Sequence, residues 1–85
     1  MNLNRLRKQI DGIDLKLLRL LNRRASLAVR VGLLKKEKGL PVFDGRREKT
    51  ILRRLVRTNA GPLSWAAVGK IFREILRQCR SLQLK

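Results

Sequence analysis

Histidine is absent from this sequence, which removes the usual general base and the commonest metal ligand. Cysteine occurs once, at Cys79, so no disulfide framework and no cysteine-based metal site is expected. Aromatic side chains are confined to one Trp and two Phe. All three read as core, which leaves no stacking platform for single-stranded nucleic acid. No run approaches about 18 apolar residues, so no membrane span is expected. The N-terminal MNLNRLRKQI lacks the apolar core of a secretory signal, and the expected compartment is the cytoplasm. Acidic residues are scarce too: 6 Asp+Glu stand against 22 Lys+Arg, a formal charge of +16. Such an excess points to an anionic partner or ligand. On charge alone nucleic acid comes first and a small multiply charged anion second. No helix-turn-helix, zinc-finger or basic-zipper signature is present.

What is present is a chain of 85 residues, 44% of them apolar. That is too apolar for a disordered basic tail. It is short enough to be one domain over 1–85, with a modest core. The organising stretch runs from Leu3 to about Glu37. Leu3, Leu6, Ile10, Ile13, Leu17 and Leu20 recur at steps of three and four, and Leu27, Val31 and Leu34 resume the register. This is an a/d seam on one long helix. Arg24 occupies the position where the seam calls for another Leu. Arg24, Ala28, Val31 and Lys35 form one line down the helix (i, i+4, i+7, i+11). Gly12 and Gly32 each weaken the helix by ~1 kcal/mol relative to Ala.

Basic residues Lys35 to Lys38 suit the C-terminal end of that helix. Gly39 is placed as its C′ residue, and Pro41 forbids continuation. Asp44 is an N-cap for a second helix over about 46–58, with Ile51, Leu52, Leu55 and Val56 as its apolar stripe. Asn59 to Leu63 is a turn, and Ser64 caps a third helix. Trp65, Val68, Phe72, Ile75, Cys79 and Leu82 give that helix its seam. The expected class is therefore all-α, a three-helix chain with one very long N-terminal helix. At ~1.5 Å per residue the first helix spans ~50 Å, the others only ~20 and ~28 Å. Packed antiparallel on the first, neither covers its seam, and monomers rarely expose so large an apolar strip. A second copy is the simplest cover, giving an intertwined, two-fold symmetric homodimer.

Arg24, Lys35, Glu48 and Gln83 lie on faces that otherwise read as core. Burying charge is costly unless it is paired or serves a ligand. One reading is a buried Arg24–Glu48 ion pair with Lys35 reaching out to water. The other is a polar pocket lined mainly by cations and built for an anion. Cys79 reads as a small buried hydrophobe. Arg53, Arg54, Arg57, Lys70, Arg73, Arg77 and Arg80 read as a mostly solvated surface.

Three segments carry a resemblance. They are LRKQIDGIDLKLLRLLNRRASLAVRVGLLK in the first helix, PVFDGRRE at the loop and second helix, and IFREIL with a late Gln. In this order and spacing, from Leu6 to Gln83, the chain resembles the all-helical chorismate mutases. The resemblance implies an intertwined dimer that converts the dianion chorismate to prephenate with no cofactor and no metal. It implies that Arg7 reaches into the partner's pocket. The 28 residues between Arg7 and Lys35, ~42 Å of helix, keep the two from sharing a pocket within one chain. It further implies that Arg24 and Arg47 hold substrate carboxylates, and that Lys35 and Gln83 donate to the ether oxygen. Glu48 would accept from the substrate hydroxyl, and the Asp44 backbone would contact the ligand. Cys79 stands where the family often has Ser. An isochorismate pyruvate lyase uses the same fold and stays open as an alternative. So do a basic nucleic-acid-binding dimer, though nucleic acid is not the expected partner, and a purely structural dimerisation module.

Overall fold

A side-chain oxygen of Asn2 accepts from the Arg5 N–H at 2.8 Å and starts α1 (Leu3–Glu37). The computed structural model describes residues 2–84. α1 is continuous for 35 residues, as the single register of the seam on both sides of Arg24 requires. It stops in a Schellman turn: Leu40 N–H donates to Lys35 O at 2.8 Å and Gly39 N–H to Lys36 O at 3.2 Å. Gly39 has φ 67, the left-handed conformation that only glycine adopts without strain.

α2 (Gly45–Thr58) begins one residue earlier than the sequence reading placed it. Asp44 caps it, accepting from Arg47 N–H at 3.0 Å. Asn59 organises the next turn by donating to Leu63 O at 2.7 Å and accepting from Gly61 N–H at 3.1 Å. Ser64 then caps α3 (Trp65–Gln83) by accepting from Ala67 N–H at 3.0 Å. The chain is all-α, with no strand among the described residues.

α3 is the central element. It packs on both α1 and α2, which among the described residues do not pack on each other. Its direction corrects one expectation. It folds back antiparallel along α2, with Arg80 beside Glu48 and Gly69 near Val56. It therefore runs in the same sense as α1: Ile71 and Ile75 lie by Leu21 and Ala25, and Gln83 lies by Ala28 and Gly32. Having two neighbours gives α3 a wider buried arc than a single seam. Val68, Leu76 and Cys79 are buried, and Leu76 lies off the seam read from the sequence.

The contact is confined to the C-terminal half of α1. Leu3, Ile10, Ile13, Leu17 and Leu20 are all exposed. The radius of gyration is 15.9 Å, against roughly 12 Å for a compact domain of this length. Trp65 is 72% exposed and Phe43 59%, which corrects the reading of all three aromatics as core. Trp65 continues the seam of α3, but it sits on the first turn of that helix, where none of the described elements covers it.

Candidate functional site

The uncovered space between α1 and α2 is a cavity of about 280 Å³ floored by α3. Each helix lines it through one face. α1 contributes the line Arg24, Ala28, Val31 and Lys35, with Leu27 beside it. The N-terminal cap and first two turns of α2 contribute Asp44, Arg47, Glu48 and Ile51 (i, i+3, i+4, i+7). The last turns of α3 contribute Leu76, Cys79, Arg80 and Gln83 at the same spacing, and that spacing keeps each set on one helix face. Val42 of the loop completes the lining. Four cations face two carboxylates, an excess of two positive charges.

The polar groups are held in defined places. Lys35 Nζ donates to Val42 O at 3.0 Å. Gln83 Nε2 donates to Ala28 O at 2.8 Å, which ties the end of α3 to α1. Arg80 Nη1 donates to Glu48 Oε2 at 2.5 Å, and the Arg80 guanidinium lies 4.9 Å from the Phe43 ring centroid. Arg24 and Arg47 form no ion pair among the described residues. Both line a concave wall with no carboxylate in ion-pair contact, the arrangement that suits a bound carboxylate. No group of three His, Cys, Asp or Glu side chains that could hold a metal ion forms among the described residues.

Of the residues singled out in the sequence, Arg24, Lys35, Asp44, Arg47, Glu48, Cys79 and Gln83 line this one cavity. Arg7 does not; it lies on the exposed N-terminal half of α1. The alternative Arg24–Glu48 ion pair is absent, because Glu48 pairs with Arg80 instead. Lys35 does not reach out to water either, since the Val42 carbonyl holds its ammonium at the cavity wall.

The chain matches the family model for type II chorismate mutases over residues 6–84. It is 42% identical to the bifunctional chorismate mutase/prephenate dehydratase of Aquifex aeolicus over 87 aligned positions. It belongs to the type II chorismate mutases. That alignment covers 98% of this chain and 24% of the relative, so the chain spans about a quarter of the bifunctional protein's length. Among solved structures, chorismate mutase form II from Thermus thermophilus superposes with a TM-score of 0.95 at 35% identity, covering 96% of this chain and 93% of the other. The Helicobacter pylori chorismate mutase, solved in complex with prephenate, gives 0.86 at 30% identity, covering 94% and 87%.

The sequence of this type II chain does not mark two of the residues at its cavity. In the sequence Arg80 reads as one of the solvated cations, yet it lines the cavity and pairs with Glu48. Its position four residues after Leu76 and three before Gln83 was the available signal. Gly32 reads in the sequence only as a weak point of α1. It is buried, and a Cβ built there would stand 2.9 Å from both Cβ and Cγ of Gln83. Nothing within a single-helix pattern marks such a contact, because its other half lies on α3.

Proposed function

We propose that the chain rearranges chorismate to prephenate, and that it does so as a homodimer. The observation carrying this reading is that Arg24, Arg47, Lys35 and Gln83 converge on one cavity with two positive charges in excess. In the rearrangement one C–O bond breaks as one C–C bond forms. No proton moves and no covalent intermediate is needed, so the reaction asks for no titrating base and no nucleophile. It needs the flexible dianion folded into a reactive chair, and Arg24 and Arg47 grip its two carboxylates for that purpose. It also needs donors placed in advance where negative charge grows on the ether oxygen. Lys35 gives Val42 O one of its three N–H groups. Gln83 gives Ala28 O one of two. Each keeps a donor for the substrate. Glu48 accepts from the substrate hydroxyl. The prephenate held by the Helicobacter pylori relative supports the same ligand class here.

The dimer reading rests on the bare N-terminal half of α1. A second copy would cover that seam and bring Arg7 of the partner subunit to the cavity. No helix among the described residues is long and apolar enough to cross a membrane, and we place the chain in the cytoplasm. The test is direct: purified chain is supplied with chorismate or isochorismate, and loss of substrate is followed by absorbance. Prephenate from chorismate is the expected result. Pyruvate released from isochorismate alone would replace this reading with the lyase. Loss of neither substrate would remove it.

A further inference from the structure

Arg80 joins three parts of the site. From α3 it pairs with Glu48 on α2 at 2.5 Å and covers the ring of Phe43 in the loop between α1 and α2 at 4.9 Å. Both partners matter to the cavity. Phe43 lies between Val42, whose carbonyl holds Lys35, and Asp44, which caps α2. Glu48 engages Arg80 through Oε2 only, so Oε1 stays available. A carboxylate tethered by one oxygen loses its torsional freedom and presents the other oxygen in a fixed direction. The pair is partly withdrawn from water, with side chains 30% and 24% exposed, so solvent screens it less than a surface pair.

We propose that Arg80 is a positioning residue: it fixes Glu48 so that the free carboxylate oxygen meets the substrate hydroxyl. The inference rests on the chorismate mutase reading of this cavity. It assigns Arg80 an action through Glu48 rather than a direct grip on a substrate carboxylate. The two differ in what happens when Glu48 is gone.

The experiment is a double-mutant cycle on the full chain, with kcat/KM for chorismate measured for the parent, Arg80→Met, Glu48→Ala and the double variant. Met keeps the length of the side chain and removes its charge. Thermal unfolding of each variant reports whether it folds. The expected loss for Arg80→Met alone is ~10- to ~100-fold, the range for removing a hydrogen bond to a charged group. In the Glu48→Ala background the same change should cost no more than ~3-fold, because the two losses are one interaction. Arg80→Lys keeps a charge beside Glu48 and should retain more activity than Arg80→Met. A chorismate analogue with hydrogen in place of the hydroxyl should barely distinguish Arg80→Met from the parent. Equal losses in both backgrounds, or an unchanged loss with the analogue, overturn the proposal and point to direct contact with substrate. A parent chain that consumes no chorismate overturns the functional reading first, and this proposal with it.

Discussion

Gln83 lies so close to Gly32 that a Cβ at the glycine would meet its Cβ and Cγ at 2.9 Å. These are atoms next to the α3 backbone, not the mobile end of a side chain, so the helix end would have to shift. Gly12 lies on the same helix with nothing within 4 Å of a Cβ built there. Alanine at either site gains ~1 kcal/mol of helix propensity. Gly12→Ala should therefore raise the unfolding temperature and leave kcat unchanged. Gly32→Ala should gain no stability and lose activity, because Gln83 moves. Thermal unfolding and a chorismate assay on both variants decide. A stabilised, fully active Gly32→Ala contradicts the close contact.

The uncovered seam of α1 predicts a dimer at micromolar concentration, and light scattering should give twice the chain mass. Arg7→Ala and Arg24→Ala chains should each be nearly inactive. Mixed, they should recover part of the activity, because one site of the mixed dimer holds both defects and the other holds neither. A well-folded monomer, or no recovery once subunit exchange is shown, defeats the shared site.

Lys35→Ala should leave the fold intact and remove most activity. Loss of one preorganised donor costs ~3–4 kcal/mol, a factor of ~100 to ~1000 in rate. Gln83 gives an independent check. Its amide does not titrate, so the parent profile should be flat from mildly acidic to neutral pH. With Gln83→Glu the position donates only when protonated, and kcat/KM should rise as pH falls. A flat profile for Gln83→Glu, or near-native activity for Lys35→Ala, rejects these donors.

Outside the cavity, Arg77 and then Gln78 donate to Glu74 and hold its carboxyl at about 2, below the ordinary 4.5. The same hydrogen bond raises Arg77. A depressed carboxyl contributes stability above its unfolded value and loses it as pH falls through the folded one. The difference in unfolding temperature between the parent and Glu74→Gln should thus be full near neutrality and close between pH 4.5 and about 2. The pair is solvent-exposed and water-screened, so the difference should be small. A gap equal at pH 7 and pH 2 would show that the pair is not its source.

The sequence was most informative where one residue acts on its own backbone. Asp44 and Ser64 cap the helices they were expected to cap, and Gly39 takes the left-handed turn. The line from Arg24 to Lys35 could also be read, because a helix places i, i+4, i+7 and i+11 on one face. What stayed hidden involves a second element. Gly32 matters only because α3 ends against it. Arg80 looks like any surface arginine until α2 is folded beside it. The common direction of α1 and α3 depends on how two turns combine, and helical periodicity does not encode it.

Among the described residues α1 and α2 do not pack on each other; α3 and the 39–44 loop bridge them. A dianion held by Arg24 on one side and Arg47 on the other would be the first direct brace across that gap. The bound molecule would then act as a keystone as well as a reactant. Backbone amides of α2, far along the chain from Arg24, should exchange their hydrogens more slowly when it is in place.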